Sequence, residues 1–162
     1  MEWPFTRRLE EVIRGMFTLS TRSRYALRIL IYLTRTAGQG PLTKQIIADH
    51  EGIPADYVAQ LLVRLKAAGF VTSTRGAGGG FELAASPEST KAFDVLLAME
   101  GPVRIANCQD SGANCGRKGR CPTAEVWEAT AKAIEETLSR FTLAELAEKA
   151  RRSESGGLSY EI

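Results

Sequence analysis

The sequence predicts a mainly α-helical chain with one small β-hairpin. Three observations carry this. Apolar residues recur at helical spacing along much of the 162-residue chain. Two short β-prone pieces, Val71–Thr74 and Phe81–Leu83, are joined by glycines, the pattern of a hairpin. A heptad-like apolar seam, Trp127, Ala131, Ile134, Leu138 and Phe141, runs through the last third, long enough to pack against a second helix of this chain or of another subunit.

The helices follow in order. "TRSRYALRILIYLTRTAG" places Tyr25, Ala26, Ile29, Leu30 and Leu33 on one face, with Thr21 or Ser23 as candidate cap and Gly38 just past the end. "LTKQIIADHEGIPADYVAQLLVRLKAAGF" holds two helical segments around a break at Gly52. Thr43 suits the cap of the first, Pro54 the first turn of the second, and Gly69 its left-handed terminator. A short helix is expected over Lys91–Met99. Thr142 and Glu145 have capping-box spacing for a final short helix. The tail "RRSESGGLSYEI" reads as loosely ordered.

The two-helix stretch has a more specific signature. Counting from Lys44, Ala48, Gly52, Val58 and Leu61 stand fifth, ninth, fifteenth and eighteenth. A helix-turn-helix needs a small residue where its helices approach, a glycine with positive φ in the turn, and two apolar residues sealing the interface. A helical hairpin in an ordinary core would satisfy the same spacing. The glycine-rich turn "RGAGGG" directly afterwards favours a winged helix-turn-helix, with backbone close to phosphates and Arg75 able to enter a minor groove. A nucleotide-phosphate loop fits less well: G-x-G-x-x-G and GK[ST] are absent, and the glycines join strand to strand.

On this reading Asp56, Tyr57 and Gln60 face the groove from the recognition helix, with Gln60 suited to an adenine edge and Tyr57 equally able to pack. Lys44, Arg64 and Arg75 are phosphate or groove candidates, and Thr43, Gly76 and Gly78 complete the candidate DNA-contacting set. Charge is consistent with this. The net +2 divides into +4 over residues 1–85 and −2 over residues 86–162.

All three cysteines, Cys108, Cys115 and Cys121, lie in "CQDSGANCGRKGRC". Clustered thiolates repel unless a cation neutralises them or pairs oxidise. Arg117, Lys118 and Arg120 would lower the thiol pKa values and offset the charge of a bound iron–sulfur centre. Zinc is the lesser metal option because C-x2-C spacing is missing, and three surface thiols are the remaining reading. The N-terminus carries Glu2, Glu10 and Glu11 and lacks the apolar centre of a signal peptide, and no long apolar run follows. A cytoplasmic protein is therefore expected, in a compartment where a disulfide framework is disfavoured.

Across Met16 to Lys149 the chain resembles the Rrf-type winged-helix transcriptional regulators, including IscR-like and NsrR-like iron–sulfur members. "LSTRSRYALRILIYL", "IPADYVAQLLVRLKAAGFVTSTRGAGGGFEL" and the three cysteines followed by "PTAEVW" and a long helix carry the likeness. The resemblance implies a homodimer paired through the long helix on palindromic promoter DNA. It also implies a cluster, [2Fe–2S] ahead of [4Fe–4S], held by Cys108, Cys115 and Cys121, whose loss, oxidation or nitrosylation changes DNA binding. IscR-like members supply a histidine as fourth ligand where this chain has Ala124, and NsrR-like members an acidic residue matching Arg24. Glu125 is the nominee here, with Asp110 behind it. Ala59 replaces a base-reading glutamate of IscR-like members. His50, the only histidine, reads as a surface or packing residue.

The expected organisation is an N-terminal extension at 1–15 with Met16 as the favoured true start, a DNA-binding domain at 16–86, and a linker helix with the cysteine loop at 87–121. A dimerisation helix with a short final helix follows at 122–150, then a flexible tail at 151–162. Two functional alternatives are a cluster-free thiol-switch repressor and a non-catalytic partner of a metabolic enzyme. An enzyme is disfavoured: no nucleophile–base pair or paired-carboxylate signature is present.

Overall fold

Ser20, rather than Thr21 or Ser23, caps the first helix. Its hydroxyl accepts the Ser23 amide, and α1 runs Thr21–Arg35. The computed structural model describes residues 19–106, 116–117 and 119–155; Cys108, Asp110, Cys115 and Lys118, with the expected N-terminal extension, lie outside them.

Helix α2 spans Lys44–Glu51 and α3 spans Ala55–Ala67. Thr43 caps α2 by accepting the Ile46 amide. Gly52 closes it at φ +64°, a value that costs an L side chain strain, and turns the chain so that Ile53 donates to the Ala48 carbonyl at 3.1 Å. Pro54 stands just ahead of α3 and accepts the Tyr57 and Val58 amides. At the other end Gly69 (φ +80°) donates to Lys66 and Phe70 donates to Leu65, with Phe70 and Leu65 both buried. That paired pattern, with its apolar contact, is the Schellman termination.

Strands β1 (Val71–Thr74) and β2 (Gly80–Leu83) pair antiparallel, with Val71 opposite Leu83 and Thr74 opposite Gly80. Phe81 and Leu42 exchange both backbone hydrogen bonds, at 2.8 and 3.0 Å, so the hairpin is stitched to the segment entering α2. Helix α4 covers Ala92–Glu100, with the Asp94 carboxylate accepting the Lys91 amide.

Helix α5 covers Ala124–Leu138 and α6 covers Leu143–Ser155. Thr142 and Glu145 form the reciprocal capping box that their spacing predicts, at 3.0 and 3.1 Å. Two expectations change here. The final helix is longer than expected and continues through Arg151 and Arg152 to Ser155, into the stretch read as a flexible tail. Ion pairs from Glu148 to Arg151 and Arg152, and from Arg35 to Glu154, hold it. Phe141 falls beyond the end of α5, where its carbonyl accepts the Ala92 amide, so the helical part of the seam stops at Leu138.

The core unites α1, α2, α3, the hairpin, α4 and the start of α6. Ile29, Leu30, Ile47, Val58, Leu61, Leu62, Leu65 and Leu143 are essentially without exposure. Each such side chain contributes about 1.5–3 kcal/mol of burial. Leu143 thus belongs to the same core as the helix-turn-helix, whose first helix begins at Lys44. Among the described residues no helix is long and apolar enough to cross a membrane.

Candidate nucleic-acid interface and cysteine loop

Burial of Val58, Leu61, Leu62 and Leu65 turns the opposite side of α3 to solvent. Asp56, Gln60 and Arg64 are exposed there. Among the described residues Gln60, Arg64 and Arg75 have no side-chain hydrogen-bond or ion-pair partner. Their polar groups are available to a ligand at no cost in internal bonds. Lys44 and Asp56 are brought together instead, 3.7 Å apart and both well exposed. That pair is weakly stabilising and leaves the charge of Asp56 partly offset on the exposed side of α3. Tyr57 is half-buried and meets Tyr25 of α1 edge-on, with ring centroids 6.1 Å apart at 76°. Its ring is a packing element between α1 and the recognition helix. His50 stacks on Tyr32 at 3.7 Å and remains exposed, in keeping with a surface or packing residue.

The wing requires its glycines for different reasons. Gly76 and Gly78 take φ of +100° and +83°, and Gly79 donates back to the Gly76 carbonyl at 2.9 Å, closing the turn. A Cβ on Gly79 would stand 2.3 Å from the Thr74 carbonyl oxygen, and one on Gly80 2.5 Å from that of Leu42. Lys66 reaches from α3 to donate to the Ser73 hydroxyl, fixing the wing against the helix. Arg75 stands exposed at the head of this turn.

One cluster escaped the sequence reading. Glu100, the last residue of α4, accepts hydrogen bonds from the Ser20 and Ser23 hydroxyls at the start of α1, and Arg22 donates to the Met99 carbonyl at 3.0 Å. Desolvation pushes the Glu100 carboxyl up, but the two hydroxyls and the Arg22 charge outweigh it and hold the pKa below the usual value. The chain leaves this latch toward Cys108 only eight residues later. No signal in one sequence links residues 80 positions apart. From α1 the contacts continue: Arg28 pairs with Glu51 of α2 at 2.8 Å, and Tyr25 meets Tyr57 of α3.

Of the expected metal ligands, Cys121 and Glu125 are described. Cys121 is half-exposed two residues before the cap of α5, and its Sγ shares a 3.1 Å hydrogen bond with the Thr123 hydroxyl. The Thr123 hydroxyl, the Thr123 and Ala124 backbone and the Arg117 charge together lower its thiol pKa despite some desolvation. A lowered thiol pKa raises the share of thiolate, the form that ligates metal. Glu125 is exposed in the first turn of α5. Among the described residues no three His, Cys, Asp or Glu converge as a metal site. The expected Cys108 and Cys115 ligands lie outside those residues.

Comparison with known proteins now adds the family. The sequence profile of Rrf2, described as an iron-dependent transcriptional regulator, matches residues 19–149. The chain belongs to the Rrf2 family. It is 36% identical over 132 residues to protein rrf2 of Nitratidesulfovibrio vulgaris, covering 82% of this chain and 88% of that one. Among solved structures it is similar to T. potens IscR, with TM-score 0.70, 31% identity, and coverage of 88% of this chain and 93% of that one. It is also similar to CymR, the global cysteine regulator of B. subtilis, with TM-score 0.67, 32% identity, and coverage of 83% and 98%. The winged-helix architecture and a role in transcriptional regulation, rather than catalysis, therefore hold for this Rrf2-family chain.

Proposed function

We propose that the chain is a cytoplasmic homodimeric repressor whose grip on promoter DNA is set by an iron–sulfur cluster, [2Fe–2S] rather than [4Fe–4S]. Cys108, Cys115 and Cys121 hold the cluster, with Glu125 as fourth ligand. The observation that carries this reading is Cys121, hydrogen-bonded to Thr123 at the head of α5 with its thiol pKa lowered, in a chain whose family is described as iron-dependent. When bound, the cluster supplies a centre that reacts with oxidants and nitric oxide.

The protein's own part is positional. Gln60 and Asp56 present α3 to a major groove, while Thr43, Lys44 and Arg64 meet phosphates beside it. Arg75, carried by Gly76 and Gly78, reaches the adjacent minor groove. The Glu100–Ser20–Ser23 latch joins the departure point of the cysteine loop to α1, and Tyr25 joins α1 to the recognition helix through Tyr57. A rearranged loop therefore has a route of hydrogen bonds and ring contact toward α3.

Oxygen-free purification with iron and sulfide counting and visible absorption tests the sensor. Coloured protein with equal iron and sulfide supports it; colourless protein lacking both overturns it. A specific observation favours one second reading, a metal-free thiol switch: the activated Cys121 together with the likeness to a cysteine regulator. It predicts reversible release of DNA on oxidation with no metal present. A non-catalytic enzyme partner would instead keep its binding in Arg75→Ala, whereas DNA binding should weaken measurably.

A further inference from the structure

Val63 is the most exposed large apolar side chain among the described residues, at 69%. It lies on α3, and folding gives no reason for it. An exposed β-branched residue in mid-helix lowers helix propensity relative to alanine or lysine. Its neighbours on the helix surface explain it better. Asp56, Gln60, Val63 and Ala67 follow one another at spacings of four, three and four residues, forming a single stripe opposite the buried Val58, Leu61, Leu62 and Leu65. The stripe is centred on Gln60 and Val63, since Asp56 is engaged by Lys44 and Ala67 ends the helix.

We propose that Val63 is a specificity-determining residue that packs its methyl groups against the C5-methyl of a thymine in the major groove. This rests on the interface reading above. Major-groove edges differ in hydrogen-bonding pattern, and only thymine adds a methyl group, which apolar side chains read. Three residues of helix rise about 4.5 Å, and stacked base pairs about 3.4 Å. The thymine therefore lies one or two steps from the base that Gln60 contacts. Ala59 on the flank offers no hydrogen bond that would favour cytosine or guanine there. The preferred half-site accordingly carries an adenine and a thymine in this close register.

The test uses the full chain and a duplex selected from a random pool. Each thymine of that duplex is replaced in turn by uracil, which deletes the methyl and keeps the pairing, and affinity is read by fluorescence anisotropy. At one position the replacement should weaken the parent about four-fold, the loss expected for one unburied methyl. Val63→Ala should weaken binding to the thymine duplex by a similar factor and be indifferent to uracil at that position. Circular dichroism checks that the variant is folded. Uracil that changes nothing at any position, or equal sensitivity in parent and Val63→Ala, overturns the assignment while leaving DNA binding intact. Failure to select any duplex overturns the interface reading, and this proposal with it.

Discussion

Helices α3 and α5 are of similar length and comparably amphipathic in sequence, yet they end in opposite situations. Helix α3 sinks Val58, Leu61, Leu62 and Leu65 completely into the core. Helix α5 fully buries none of its residues: Trp127, Ala131, Ile134 and Leu138 are half-exposed, and Val126 is more open still. A half-exposed apolar seam of this kind is surface available for a partner to cover. The difference separates a unit whose packing is complete within one chain from an element whose seam the proposed homodimer would cover.

That contrast can be broken by substitution, beginning with the largest effect on stability. Leu61→Ala should cost about 3 kcal/mol by opening a cavity in the shared core, read as a fall in the urea midpoint with an unchanged slope. Gly80→Ala should cost about 2 kcal/mol, because its Cβ collides with the Leu42 backbone rather than with a flexible side chain. The same change should displace the wing and weaken DNA binding. An unchanged melting temperature would mean that the hairpin is not held to the entry of α2.

Glu100→Gln should cost on the order of 1 kcal/mol, discounted for its exposure. Its pH dependence is more specific. Because the folded pKa lies below the ordinary value, the carboxylate's contribution is present above about pH 4.3 and is lost as pH falls through the lower folded pKa. The variant should therefore show a shallower acid limb than the parent; identical limbs would remove the latch from the account. Ile134→Asp should change the stability of the single chain least, by less than about 0.5 kcal/mol. In sedimentation it should nevertheless convert dimer to monomer. A dimer that survives would place the subunit contact elsewhere than α5.

What the sequence disclosed tracks how local each determinant is. Thr43, Gly52, Gly69 and the Thr142–Glu145 box were legible because capping and left-handed turns are settled within a few residues. The wing was legible because glycines between β-prone pieces admit few alternatives. The first cap was misplaced by one position because "LSTRS" offers three hydroxyls in four residues, and only packing against Glu100 selects Ser20 for the amide and draws in Ser23. The persistence of α6 to Ser155 was hidden for a similar reason: a polar, charged stretch reads as tail until Arg35 of a distant helix is brought to Glu154. Tyr57 showed the same ambiguity, since a tyrosine near the start of such a helix can read bases or pack, and the edge-on contact with Tyr25 displays the packing role. Gln60, Arg64 and Arg75 were placed by periodicity and turn position, and all three stand exposed.

The central claim is that the cysteine loop governs the grip of α3 on DNA. It is tested most directly by titrating a selected duplex, without oxygen, with the parent and with the Cys108→Ala, Cys115→Ala, Cys121→Ala triple variant, before and after a nitric-oxide donor. The account predicts that the donor changes the parent's affinity at least several-fold and leaves the triple variant unmoved. Equal affinities for both proteins, with and without the donor, would contradict it.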